Sequence, residues 1–430
     1  MDTSIATGIL LGSFIVLILI KVPITFSMIL STALTLIYIG SPVMTLVQQM
    51  AKQLNSFSFL AIPFFILMGE IMSVGGIATR LFQFANILVG RFTGGLAHVN
   101  VLASTFFGGI SGSTIADVSS LGPLEFRMME EAGYDKDFSI ALTVSSSVQS
   151  LIIPPSHNIV LYSMAAGGVS IGSLFIAGYI PGALLAISLM AYCFIVSHKR
   201  KYPKSGKVPF KEAMKVTKES LLSLFSMVIV IVGVSAGWFT ATESAAIACI
   251  YCLFISLVVY REMTIKDIPR VLGGTVKTLA MVYALIAAAG AFGWTMSYLN
   301  IPSSATKLIL SVSDNPIIIL LLINILLLAL GTIMDLAPLV LIMTPILLPV
   351  VKSFGMSPIH FGIMMMLNLG IGLCTPPVGT ALFTGCAIGK RSIESVSKAL
   401  LPMYVPMIVV LLLVTYIPTI TMFLPTLLMS

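Results

Sequence analysis

Ser145-Ser146-Ser147-Val148-Gln149-Ser150-Leu151-Ile152-Ile153-Pro154-Pro155-Ser156-His157-Asn158 is a polar run inside an apolar segment, and two consecutive prolines interrupt it. Each proline removes an amide donor and clashes with the preceding turn, so the pair breaks any helix that contains it. In hydrocarbon the freed carbonyls need a ligand, water or a protein partner. Their oxygens, with the hydroxyls around them, suit an alkali cation such as Na⁺. The half-helix that restarts after the break favours anionic groups at its N-terminus.

The run has a counterpart. A shift of 222 residues places Pro154-Pro155 on Pro376-Pro377, within Cys374-Thr375-Pro376-Pro377-Val378-Gly379-Thr380. The same shift carries Gly109 to Gly331, Pro123 to Pro345, Gly133 to Gly355, Leu151 to Leu373, Gly167 to Gly389 and Ser170 to Ser392. Upstream the shift becomes 224, where Gly69, Met72 and Ser73 meet Gly293, Met296 and Ser297. Aligned glycines and prolines fix backbone conformation, so the match reads as an internal repeat.

Composition supplies the solvent. Of 430 residues, 58% are hydrophobic and 9% charged, where soluble domains carry roughly 25% charge. The surface therefore faces lipid. Spans are expected at about 4–20, 23–40, 58–75, 137–166, 171–197, 218–236, 242–260, 274–298, 358–389 and 395–425, with amphipathic interfacial segments at 42–56 and 81–96. Segments 98–131 and 316–353 are broken at Gly108-Gly109-Ile110-Ser111-Gly112-Ser113 and at Gly331-Thr332-Ile333-Met334-Asp335. Both read as re-entrant hairpins with non-helical tips. The N-terminus lacks the basic region of a signal peptide.

Charge orients the copies. Glu125, Arg127, Glu130, Glu131, Asp135, Lys136 and Asp137 crowd the first hairpin-to-span connector, while its later loop, 165–172, is uncharged. The second copy reverses this, with Lys352 alone near 352–360 and Lys390, Arg391, Glu394 and Lys398 in the later loop. Basic residues favour the cytoplasm, so the copies are expected upside down to one another. The net charge of +7 concentrates in the connectors 199–218 and 261–277, which marks orientation and not a nucleic-acid patch. Both termini then fall on the non-cytoplasmic side, and Lys52 is the one awkward charge. The expected fold is an all-α polytopic membrane protein with inverted repeats, two re-entrant hairpins and two broken helices. Residues 1–57 form N-terminal scaffold helices, 58–200 the first repeat, 201–273 a connector with scaffold helices, and 274–430 the second repeat.

Glu70, Asp117, Glu243 and Asp335 are expected at membrane depth, where ionisable groups are functional by default. Asp335 sits at a hairpin tip, equivalent to Ser113, and reads as a cation ligand or a helix cap. Glu70, Asp117 and Glu243 read as structural. His157 reads as a partner for a substrate carboxylate or for a neighbouring carbonyl, and Ser147 and Thr380 join it as expected substrate contacts. The five cysteines lie in apolar segments as packing thiols. Four histidines and no HExxH motif supply no set for an intramembrane enzyme. A channel is less apt than a carrier, because paired breaks predict stoichiometric coupling.

At Phe107-Gly108-Gly109-Ile110-Ser111-Gly112-Ser113-Thr114-Ile115-Ala116-Asp117, at Ile153-Pro154-Pro155-Ser156, at Thr240-Ala241-Thr242-Glu243-Ser244-Ala245-Ala246 and at Thr375-Pro376-Pro377-Val378-Gly379, the chain resembles the large membrane subunit of tripartite ATP-independent periplasmic (TRAP) transporters. The resemblance runs over nearly the whole length. It implies a sodium-driven elevator-type importer of the inner membrane, working with a small four-helix membrane subunit and a periplasmic substrate-binding protein. It implies Na⁺ as coupling ion and no cofactor. One sodium site would use Ser111, Gly112, Ser113, Pro154, Ser156 and Asn158, and the other Gly331, Thr332, Asp335, Thr375 and Gly379. Substrates of such importers are organic acids: C4-dicarboxylates, other carboxylates or sialic acid. The Pro154-Pro155-Ser156-His157-Asn158 run is similar to the sialic-acid branch.

Overall fold

The computed structural model describes residues 2–55, 57–204, 206 and 209–429, and every regular element among them is helical. The helices are α1 Thr3–Leu19, α2 Ile24–Tyr38, α3 Met44–Leu54, α4 Ala61–Val74, α5 Ile77–Val89, α6 Gly95–Ser111 and α7 Thr114–Glu131. Then come α8 Lys136–Ser146, α9 Gln149–Ile152, α10 His157–Ala165, α11 Ile171–Arg200, α12 Phe210–Ser235, α13 Ala241–Phe254 and α14 Ile268–Tyr298. The chain ends with α15 Ile301–Val312, α16 Pro316–Gly331, α17 Leu336–Ser353, α18 Pro358–Leu373, α19 Thr380–Gly389, α20 Ile393–Tyr416 and α21 Pro418–Leu428. Among the described residues six helices are long and apolar enough to cross a membrane, or up to eight if each of two bent pairs is one span. Those pairs are α4 with α5, bent by 71°, and Lys136–Ile152 with α10, bent by 51° across the first Pro-Pro.

Helix boundaries carry the repeat. Displaced by 222 residues, α7 coincides with α17 and the start of α8 with the start of α18. The same displacement brings the start of α11 onto that of α20. At 224, α4 falls on the C-terminal part of α14, and α5 falls on α15. Packing between copies is reciprocal: α7 lies on α19 while α17 lies on α10, and α8 lies on α20 while α11 lies on α18. Exchanged pairs of this kind are what a two-fold relation between repeats generates.

The breaks form for local reasons. Residues before proline favour extended backbone, and Ile153 leaves α9 at ψ 123. Ser156 is extended and opens α10. In the second copy Gly379, at φ +26, opens α19. Both Pro-Pro bonds are cis. The second hairpin closes onto its broken helix at a glycine pair: a Cβ on Gly372 would stand 2.7 Å from the Cα and carbonyl carbon of Gly331. Backbone cannot yield as a side chain does. Gly372→Ala is therefore expected to destabilise the protein by about 1–3 kcal/mol, read as a lower melting temperature in detergent.

Several sequence expectations are corrected. The segment 395–425 is two helices, because Pro418 restarts the chain after Tyr416. The amphipathic segment expected at 81–96 is α5, ending at Val89. The helix α15 was not expected at all. Glu125 is not a connector charge but fully buried, taking hydrogen bonds on Oε2 from Asn100 Nδ2 and Thr143 Oγ1, each at 2.7 Å. Glu243 closes an exposed capping box with Thr240, in line with a structural role. The five cysteines are buried and free, as expected.

Ion pairs fix the ends of the helices. Arg391 grips Asp137 with two bonds, Nε to Oδ1 at 2.6 Å and Nη2 to Oδ2 at 3.1 Å. This brings the charged connector of the first copy and the charged loop of the second to one end of the molecule. Arg80 of α5 meets Glu219 of α12 at 3.4 Å and Glu262 at 2.6 Å, and it stacks over Tyr260.

Candidate functional site

The two hairpin tips and the first break converge on one cavity of about 460 Å³. Ser111 and Ser113 reach it from the first tip, His157 and Asn158 from the start of α10, and Asp335 from the second tip. The opposite wall comes from α4 and α14: Gly69, Glu70 and Ser73 of α4, with Thr278 and Met281 of α14. Its size lies within the roughly 300–1,000 Å³ typical of small-molecule sites.

At the first tip the chain leaves α6 through Gly112, at φ +61, and re-enters a helix at Ser113. Ser113 is extended and caps α7, its hydroxyl accepting from the amide of Ala116 at 3.3 Å. That is the usual role of a hydroxyl residue at a helix start. The carbonyl of Gly112 accepts from Asn158 Nδ2 at 2.8 Å, which ties tip to break. Pro154 turns its carbonyl toward Gly109 of α6. Among the described residues the hydroxyl of Ser156 and Nδ1 of His157 have no hydrogen-bond partner. So Ser111, Gly112, Ser113, Ser156, His157 and Asn158 form one group in space, with carbonyl, hydroxyl and amide oxygens available.

The second tip is tied in the same way. The amide of Val378 donates to the carbonyl of Thr332 at 3.0 Å. Asp335 occupies the position equivalent to Ser113 at the start of α17, yet its side chain forms no cap bond. It accepts instead from Thr380 Oγ1 at 3.3 Å. A Cβ on Gly379 would meet the carbonyl oxygens of Thr375 at 2.8 Å and Leu373 at 3.0 Å, so those oxygens converge where glycine leaves room. Gly331, Thr332, Asp335, Thr375, Gly379 and Thr380 thus surround the second break. Asp335 brings a carboxyl group there, and the rest bring neutral oxygens.

Two expected substrate contacts lie elsewhere. Ser147 is fully buried, and its hydroxyl donates to the carbonyl of Val144 at 2.8 Å, away from the cavity. Thr380 supports Asp335 and is not part of the lining. Of this wall the sequence singles out Glu70, expected at membrane depth, and Gly69 and Ser73 at the 224-residue match, whereas Thr278 and Met281 carry no such signal. Ser73 Oγ lies 2.9 Å from Ser120 Oγ of α7, joining α4 to the first hairpin.

Comparison with known proteins places this geometry. Residues 11–420 match the family model described as the tripartite ATP-independent periplasmic transporter, DctM component. The sialic acid TRAP transporter large permease of Vibrio cholerae is 41% identical, with 94% of this chain and 95% of that protein covered. The C4-dicarboxylate TRAP transporter large permease of Pseudomonas aeruginosa is 38% identical, with 92% and 93% covered. An uncharacterised protein of Salmonella typhimurium is 43% identical over 97% of both chains. Among solved structures, the YdaH transporter of Alcanivorax borkumensis superposes with a TM-score of 0.64 at 15% identity, covering 89% of this chain and 88% of that one, a likeness of fold alone. The family is one of transporter permeases and not of enzymes. A match over nearly all of the chain makes this protein a member of the DctM family, the large membrane subunit of TRAP transporters.

Proposed function

We propose that this chain is the transport subunit of a sodium-driven importer of an organic acid, N-acetylneuraminate, across an inner membrane. The observation that carries the reading is the cavity at which both hairpin tips and the first break meet a wall formed by α4 and α14. One sodium ion would be held at Ser111, Gly112, Ser113, Pro154, Ser156 and Asn158, and another at Gly331, Thr332, Asp335, Thr375 and Gly379. The substrate carboxylate would meet His157. The copies are inverted, which the meeting of Asp137 and Arg391 at one end supports. Hairpins and broken helices then move together against α4 and α14 as an elevator, with both termini on the periplasmic side.

Each net positive charge moved inward gains about 2.3 kcal/mol per ~100 mV. Two Na⁺ with one monoanion therefore draw on voltage as well as on the gradient. Partners would be a small four-helix membrane subunit and a periplasmic binding protein. The sialic acid TRAP transporter permease of Haemophilus influenzae supports the first, since this chain covers only 67% of its length. The sialic-acid assignment rests on the Vibrio cholerae relative and on His157 after the break. A C4-dicarboxylate is the second reading, favoured by the Pseudomonas aeruginosa relative.

Uptake into proteoliposomes holding all three subunits tests the proposal. Replacing Na⁺ by K⁺ is expected to abolish uptake of labelled N-acetylneuraminate, and unlabelled substrate is expected to compete where succinate does not. Uptake unchanged in K⁺ would remove sodium coupling. Competition by succinate alone would move the substrate to the dicarboxylates.

A further inference from the structure

Glu70 of α4 lines the cavity from the wall opposite the hairpin tips. Among the described residues it forms no ion pair and no hydrogen bond. Glu243 has the structural role expected of it in a capping box, but Glu70 has no bond to carry one. Its carboxyl group lies against α14, where a Cβ on Gly274 would stand 3.1 Å from Oε2 and 3.4 Å from Oε1. Thr278, one turn along α14, and Ser73, one turn along α4, line the same cavity. At the 224-residue offset Glu70 falls on Trp294, which stacks on Tyr298. The first copy alone therefore brings an acid to this position, and the two sides of the cavity are chemically unlike.

The charges around the cavity are few. Among the described residues that line it, the ionisable ones are Glu70, His157 and Asp335, and no lysine or arginine is among them. A substrate carboxylate can be met by His157 and by the sodium ions proposed at the two breaks, all on the hairpin side. A second carboxylate at the far end of the same molecule would face Glu70 with no cation to neutralise either group. Like charges opposed in this way reject the wrong ligand. Hydroxyl groups at that end would instead donate to Glu70, whose oxygens only accept when ionised. Ser73 and Thr278 add hydroxyls to the same wall.

We propose that Glu70 is a specificity-determining residue: it accepts hydrogen bonds from the hydroxyl groups of a substrate that carries one carboxylate, and it excludes molecules that carry a second. The substrate class is a polyhydroxylated monocarboxylate. This rests on the reading of the chain as an organic-acid importer and narrows it.

Ligand binding to the purified chain in lipid nanodiscs with Na⁺, read as a rise in melting temperature over a concentration series, tests this with N-acetylneuraminate and succinate as probes. The wild type is expected to be stabilised by N-acetylneuraminate and not by succinate. Glu70→Gln, which keeps the shape and removes the charge, is expected to raise the half-saturating N-acetylneuraminate concentration by about tenfold and to let succinate bind. Gly274→Ala pushes the carboxyl group off its seat without removing it. It is expected to weaken N-acetylneuraminate in the same direction by a smaller factor, and it carries the test if Glu70→Gln fails to fold. In proteoliposomes with all three subunits, Glu70→Gln is expected to keep the wild-type sodium titration of uptake. A wild-type preference retained in both variants overturns the role of Glu70 and leaves the importer reading standing. A shifted sodium titration with unchanged ligand preference also overturns it, making Glu70 a sodium ligand. Succinate that stabilises the wild type in place of N-acetylneuraminate overturns the substrate assignment itself.

Discussion

Asp335→Ala is expected to raise the sodium concentration that half-saturates uptake by about tenfold or more. A hydrogen-bonded or ligating charge contributes about 1.5–3 kcal/mol, and each 1.4 kcal/mol is roughly a factor of ten in affinity. Alanine removes the carboxylate proposed to hold sodium at the second break and leaves the Thr380 hydroxyl without its acceptor. The rival role for Asp335 is a helix cap, and it makes a different forecast. Serine at the equivalent position of the first copy caps α7 well, so Asp335→Ser would supply a cap without a charge. If capping were the whole role, the serine variant would restore the wild-type sodium titration. The absence of a side-chain cap bond at Asp335 favours the charge, so serine is expected to behave like alanine.

Much of this fold is written in the punctuation of the chain. Glycines and prolines at one offset located the second hairpin and the second broken helix, because those residues act on the backbone whatever the solvent. Hydrophobic patterning helped less, since helices surrounded by lipid and protein show little polarity of face. The helix α15 escaped because its Pro302-Ser303-Ser304 start resembles a loop, yet α5 at the 224-residue offset was its template. Glu125 was misplaced for another reason. Arg127, Glu130 and Glu131 made its neighbourhood read as solvent, and these three are indeed exposed. Helical periodicity separates them: Asp117, Leu121, Glu125 and Met129, four residues apart, form one fully buried stripe. Ser147 is fully buried and its hydroxyl turns back to the Val144 carbonyl, so it lies away from the cavity, a placement that its polar run does not reveal. The closing of the cavity by α4 and α14 was not legible, because only the packing of these helices against each other and the hairpins creates that wall.

The tip of the first hairpin yields the second large effect. Gly112→Ala is expected to cut the rate of uptake by roughly tenfold to a hundredfold while the protein still inserts. Two costs combine. At φ +61 a side chain costs about 1–2 kcal/mol. A Cβ there would also stand 2.9 Å from both the amide nitrogen of His157 and the Cα of Ser156, an overpacking of about 1–3 kcal/mol. The tip cannot slide away freely, because Asn158 holds the Gly112 carbonyl at 2.8 Å. Displacement would therefore reach the group of oxygens proposed to hold sodium. Gly133 separates the two costs. Its φ is +82, but nothing lies within 4 Å of the space a Cβ would fill. Gly133→Ala bears the conformational cost alone, outside the site, and is expected to transport at close to the wild-type rate. If both alanine variants lose the same activity, the effect is general backbone strain and the close fit of tip to break has no special part in transport. A loss confined to Gly112→Ala, and matched in direction by Asn158→Ala, ties the rate to the contact itself.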